Sequence, residues 1–84
     1  MTSFKYPRFK EALVYAAEMH NGQTRKGTSI PYITHPVAVA EILSRNNFEP
    51  EIVYAGLLHD VIEDTGVTQE ALAEAFGPKV AALV

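Results

Sequence analysis

An all-α fold is predicted for this chain of 84 residues by three observations. Apolar residues recur at helical spacing in several segments. No stretch sustains the apolar–polar alternation of a strand, and proline or glycine separates the periodic runs. About five helices follow from that pattern, with no internal repeat, linker or low-complexity segment.

The first predicted helix runs from about Pro7 to His20. Proline suits its first turn, and Leu13, Ala16, Ala17 and His20 fall on one face. Asn21-Gly22 stops it, and a polar loop from Gln23 to Thr34 follows. His20, near the helix end, is expected to interact with the helix dipole and the loop. A second helix begins at Pro36, with Thr34 or His35 near its N-cap. It carries Val37, Val39, Ala40, Ile42 and Leu43, and ends near Arg45-Asn46-Asn47. The third begins around Pro50 and continues through Glu63 or Asp64; from Ile52 to Leu58 it is apolar almost all round, as a central, enclosed helix should be. Thr68 is placed to cap a fourth helix, Gln69 to Phe76, and Gly77-Pro78 breaks it and starts a fifth. No glycine, asparagine or basic residue closes the apolar run at Ala81-Ala82-Leu83-Val84, so the domain is expected to be truncated.

Composition narrows the classes further. A hydrophobic content of 48% supports one small folded domain rather than a disordered chain. With no cysteine, disulfides and thiolate chemistry are excluded. No apolar stretch approaches the roughly 20 residues of a membrane span. Residues 1–10 lack the apolar core of a signal peptide, and both features fit a cytoplasmic location. A net charge of −3 argues against a general nucleic-acid binder, so an anionic substrate needs a local basic patch or a metal.

The chemistry concentrates in Leu57-Leu58-His59-Asp60-Val61-Ile62-Glu63-Asp64-Thr65. Apolar pairs lead into a His-Asp pair and then a Glu-Asp pair, and burying such groups is costly unless something pairs them. In a continuous helix, at about 100° per residue, His59 shares a face with Glu63 and Asp60 with Asp64. Imidazole nitrogen with carboxylate oxygen suits a borderline-to-hard divalent ion such as manganese, iron, zinc or magnesium. His35, held by Pro36, is a third ligand candidate beside His59 and Asp60, leaving open positions for water or substrate. Glu63 or Asp64 is then placed to take a proton from that water. Arg25 and Lys26 precede this histidine in the loop and can recruit a phosphorylated, base-containing substrate. Singly, each feature has an ordinary explanation as a cap, a solvated face or an exposed loop; together they point to one site.

Three stretches carry a resemblance to a known family: His20-Asn21-Gly22-Gln23-Thr24-Arg25-Lys26-Gly27, Pro31-Tyr32-Ile33-Thr34-His35-Pro36-Val37-Ala38-Val39-Ala40, and Leu57 to Thr65. With Phe76-Gly77-Pro78-Lys79-Val80, they resemble the HD-domain metal-dependent phosphohydrolases, in particular the branch that hydrolyses guanosine tetraphosphate. The resemblance implies an HD-domain helical bundle binding one divalent ion, usually manganese, through His35, His59 and Asp60. It implies that Glu63 and Asp64 position or activate the attacking water, and that Arg25 and Lys26 border a nucleotide polyphosphate. The implied reaction removes pyrophosphate from the 3′ position of guanosine 3′,5′-bis(diphosphate). The family uses a further aspartate downstream of the Glu-Asp pair, whereas Asp60 and Asp64 are the only aspartates here; residues 1–84 therefore correspond to the N-terminal half of a family domain. Two other readings stay open: the same fold and metal acting on another nucleotide or phosphoester, and a non-catalytic remnant binding nucleotide or a partner. An open core of this size favours a homo-oligomer.

Overall fold

The structure, a computed structural model, describes residues 5–84. Among them the chain forms six helices: α1 (Phe9–Met19), α2 (Thr34–Arg45), α3 (Pro50–Leu58), α4 (Val61–Thr65), α5 (Gln69–Phe76) and α6 (Pro78–Leu83). No strand is present among the described residues, only an isolated antiparallel bridge between Thr24 and Pro31. None of these helices is long and apolar enough to cross a membrane. The absence of a targeting core in residues 1–10 rests partly on residues 1–4, which lie outside the described residues.

Helix α3 is the central element, packed against α1, α2 and α6. Its sequence explains why. Every residue from Val53 to Leu58 is buried, so the helix has no polar face to give to water. Leu57 and Leu58 are among the largest fully buried side chains, each stabilising the fold by about 1.5–3 kcal/mol. Gly56 faces α2: a Cβ there would lie 2.7 Å from Leu43 Cδ1 and 3.8 Å from the Ala40 Cα. The Ala40 backbone would stay at ordinary van der Waals distance, so what glycine spares here is a shift of the Leu43 side chain, set against the roughly 1 kcal/mol that glycine costs inside a helix.

Around this core the local signals mostly act as the sequence indicates. Thr68 accepts a hydrogen bond from the Ala71 N–H at 3.1 Å and so caps α5. Gly77, at φ 94°, takes a conformation open to glycine and ends α5, and Pro78 starts α6. Helix α1 begins two residues after Pro7, and its buried stripe is Ala12 and Ala16, continued by His20; Ala17, expected on that stripe, is exposed. Helix α2 starts at Thr34, earlier than Pro36, and no side chain caps it. Pro36 sits in its first turn, where the missing N–H has no intrahelical partner to lose. Ile42 is exposed on α2.

The main correction concerns the third predicted helix. It does not run on to Glu63 or Asp64. It ends at Leu58, and a separate short helix, α4, begins at Val61. Asp60 lies between them at φ −99°, ψ 0°, in the sparsely populated bridge region where many active-site residues sit. Aspartate is a poor interior helix residue because its carboxylate competes for other partners, and here the partners come from α2 and the loop before it. Gly66, at φ 80°, then closes α4 in the left-handed conformation.

The close α2–α3 contact gives a direct expectation. Gly56→Val drives two methyl groups against Leu43 and Val39, and overpacking of this kind costs about 1–3 kcal/mol. Urea unfolding is expected to show a lower midpoint with an unchanged slope.

Candidate metal centre

The end of α3 and the start of α2 meet at three side chains. His59, directly after Leu58, turns its Nδ1 onto the Gly56 carbonyl at 2.7 Å. Since a carbonyl can only accept, Nδ1 carries the hydrogen, and in the neutral ring the Nε2 lone pair is free to ligate. That Nε2 lies 3.0 Å from Asp60 Oδ2. His35, on the first turn of α2, brings its own Nε2 to 3.9 Å from the same oxygen. The two imidazole rings meet edge to face, 5.4 Å between centroids. One ligand atom from each of His35, His59 and Asp60 lies within 4.8 Å of the others, and all three residues are partly buried. An imidazole lone pair aimed at a carboxylate oxygen is unfavourable unless a cation or proton lies between them. The chemistry of this donor set therefore fits a divalent ion with nitrogen and oxygen ligands.

Tyr32 completes the arrangement. Its hydroxyl donates to Asp60 Oδ2 at 2.5 Å, and its ring lies between the rings of His35, 5.9 Å away, and His20, 4.9 Å away. That hydrogen bond, then burial, then the negative charges of Asp60 and Asp64, push the Tyr32 hydroxyl well above its ordinary pKa. The group remains a donor, so Asp60 is held in one orientation. The backbone amide of His35 bonds to the Tyr32 carbonyl at 3.0 Å, so the turn that places the tyrosine also places the histidine.

Glu63 and Asp64 do not join the three donors in one cluster. Because α3 stops at Leu58, His59 falls outside both helices, whereas Asp60 stands at the N-cap of α4 and keeps its helical register with Asp64, whose N–H bonds to the Asp60 carbonyl at 2.9 Å. Both carboxylates lie exposed on α4, with Asp64 close enough to Tyr32 to help hold its hydroxyl protonated. Arg25 and Lys26 are exposed on the loop. The loop itself is ordered: the Arg25 N–H bonds to the Ile30 carbonyl at 2.9 Å, the Tyr32 N–H to the Gln23 carbonyl at 2.8 Å, and Gly27 turns it at φ 76°. Among the described residues, neither Arg25 nor Lys26 is paired with a carboxylate. His35 does not cap α2; its side chain faces Asp60.

Sequence reasoning gave no role to Tyr32, Gly56 or Gln23. Tyr32 had a usable signal, a phenol three residues before a ligand candidate. The carbonyl of Gly56 had none.

A fold in which two helices bring His35 onto a His59-Asp60 pair is that of an HD domain. A profile described as HD domain matches residues 12–84, and the chain belongs to that family. It is 49% identical over 77 residues to the bifunctional (p)ppGpp synthase/hydrolase SpoT of Escherichia coli (strain K12), covering 92% of this chain and 11% of that protein. It is 46% identical to a guanosine-3′,5′-bis(diphosphate) 3′-pyrophosphohydrolase of Vibrio cholerae, over all of this chain and 12% of that one. A GTP pyrophosphokinase of Myxococcus xanthus is 49% identical over 89% of this chain and 10% of its own length. Among solved structures, a metazoan orthologue of SpoT described as hydrolysing ppGpp superposes with a TM-score of 0.82 at 40% identity. That match covers 89% of this chain and 44% of the solved one. The chain thus spans about a tenth of the length of the curated relatives it matches.

The raised pKa of Tyr32 sets a pH dependence. The folded value lies above the unfolded one, so the stabilisation is complete below about pH 10 and is lost as pH rises through the folded value. In a spectrophotometric titration, the wild-type protein is expected to show a late tyrosinate step that Tyr32→Phe removes.

Proposed function

We propose that the protein is a divalent-metal-dependent hydrolase that removes pyrophosphate from the 3′ position of guanosine 3′,5′-bis(diphosphate). The observation that carries this reading is the meeting of His35, His59 and Asp60 with their ligand atoms within 4.8 Å, in a chain that also exposes Glu63 and Asp64 on α4 and Arg25 and Lys26 on the loop before His35. The names of the Vibrio and Escherichia relatives support the substrate.

In this reading His35 Nε2, His59 Nε2 and a carboxylate oxygen of Asp60 hold the ion, and manganese is the ion proposed. The chemistry a bound divalent ion supplies is polarisation of a phosphoryl oxygen and a more acidic water. The Gly56 carbonyl keeps the lone pair of His59 directed into the site. Tyr32 keeps Asp60 from rotating away. Glu63 and Asp64 position the attacking water and accept its proton. Water oxygen bonds to the 3′-linked phosphorus, the bond to the 3′ oxygen breaks, and the proton taken from the water passes to that oxygen, so that guanosine 5′-diphosphate with a 3′ hydroxyl and pyrophosphate leave. Arg25 and Lys26 offset the charge of the polyphosphate, arginine through paired N–H donors and lysine as a point charge. A nucleotide substrate and a cysteine-free chain fit a cytoplasmic setting.

Release of pyrophosphate from guanosine tetraphosphate is expected to require manganese and to be lost in His59→Ala. NADPH and simple nucleotides are expected to be poor substrates in the same assay; equal turnover of all of them would reject the assigned substrate. Glu63→Gln is expected to lower kcat by roughly 10²–10⁴-fold with manganese affinity retained. Arg25→Ala is expected to act mainly on KM, raising it about tenfold, as the loss of one charged hydrogen bond implies.

A further inference from the structure

Helix α4 has only five residues, far too few to be stable alone, and Val61 is its one buried residue. The acidic pair it carries therefore depends on neighbours for its position. One neighbour stands out. Gln23, in the loop after α1, has all four of its polar groups engaged. Its backbone N–H bonds to the His20 carbonyl at 2.9 Å, and its carbonyl accepts from the Tyr32 N–H at 2.8 Å. Its side-chain Nε2 donates to the Asp64 carbonyl at 3.2 Å, and its Oε1 faces His20 Nδ1 at 2.9 Å.

These bonds fix one another. A carbonyl can only accept, so the amide must present its NH₂ to Asp64 and its oxygen to His20. His20 must then carry its hydrogen on Nδ1, and its buried Nε2 has no hydrogen-bond partner. A flipped amide would face an oxygen to the Asp64 carbonyl, so that carbonyl fixes the amide orientation and the His20 tautomer follows from it. The carbonyl it reaches belongs to the last turn of the helix, where no intrahelical N–H is available. The same residue pairs through its backbone with Tyr32, whose hydroxyl holds Asp60. Gln23 is thus bonded both to the helix bearing Glu63 and Asp64 and to the turn that orients the His35–His59–Asp60 centre.

We propose that Gln23 is a positioning residue that sets the acidic pair of α4 at its working distance from the metal centre, with His20 engaging its amide oxygen. The catalytic part of this inference rests on the proposed role of Glu63 and Asp64; the structural part does not.

Two variants of the whole protein test it. Gln23→Leu removes both side-chain bonds, while Gln23→Glu keeps an oxygen for His20 but has no donor for Asp64. In both, amide hydrogen exchange over residues 61–66 is expected to rise about tenfold, the equivalent of one hydrogen bond, with α3 unchanged. Manganese affinity, read by calorimetry, is expected to stay near wild type, while kcat falls and KM holds. Unchanged exchange in α4, a wild-type Gln23→Glu, or a rise spread equally through α3 would each overturn the proposal. Should wild type release no pyrophosphate at all, the functional reading fails, and the exchange data still decide whether Gln23 holds α4.

Discussion

Helix α3 packs against α2 at Gly56, and the site stands where the end of α3 meets the start of α2 along this contact. A Cβ at this position would meet Leu43 at 2.7 Å. Along the same pair of helices, His35 at the start of α2 reaches Asp60 just past the end of α3. Gly56 offers its carbonyl to His59 and fixes which imidazole nitrogen faces the centre. One residue therefore contributes both to the packing and to the orientation of His59. The cost of glycine inside a helix is small beside the burial of Leu57 and Leu58.

The polar groups at the centre are arranged in order of their need for partners. Asp60, leaving the helical path after α3, receives the Tyr32 hydroxyl and faces two imidazoles. A carboxylate with such partners is far less costly to enclose than an unpaired one. Glu63 and Asp64 have no such enclosure and lie exposed on a helix of their own. That separation matters chemically. A carboxylate that shares an ion with two histidines has its lone pairs committed, whereas an exposed one nearby can accept a proton. His59 and Asp60, in the break between α3 and α4, and Glu63 and Asp64, on α4, thus form two sets with different environments.

Membership of the HD-domain family rests on residues 12–84 and agrees with a structural match that covers nearly all of this chain. Within that frame the residues around the three donors are as informative as the donors. Tyr32, Gly56 and Gln23 touch the donor set or the acidic helix through hydrogen bonds that orient it. Partners of this kind govern metal affinity and geometry in metal sites generally.

The sequence by itself determined the helical class, the central position of α3, the Thr68 cap, the Gly77-Pro78 boundary and the residues that meet at the centre. These are legible because they follow from local rules: the 3.6-residue period, capping chemistry, and the fixed φ of proline. Only the tertiary structure decided where α3 stops, which side chain orients Asp60, and what holds α4. A continuous helix through Glu63 was the locally reasonable reading, since nothing between Leu58 and Thr65 is a glycine or a proline. At the break, Asp60 is bonded to Tyr32, 28 residues earlier in the chain. Likewise Gln23 reads as an ordinary loop residue until the fold brings Asp64, 41 residues away, within reach of its amide. Periodicity reports which face of an element is buried. It carries no record of which distant hydrogen-bond partner that face will meet.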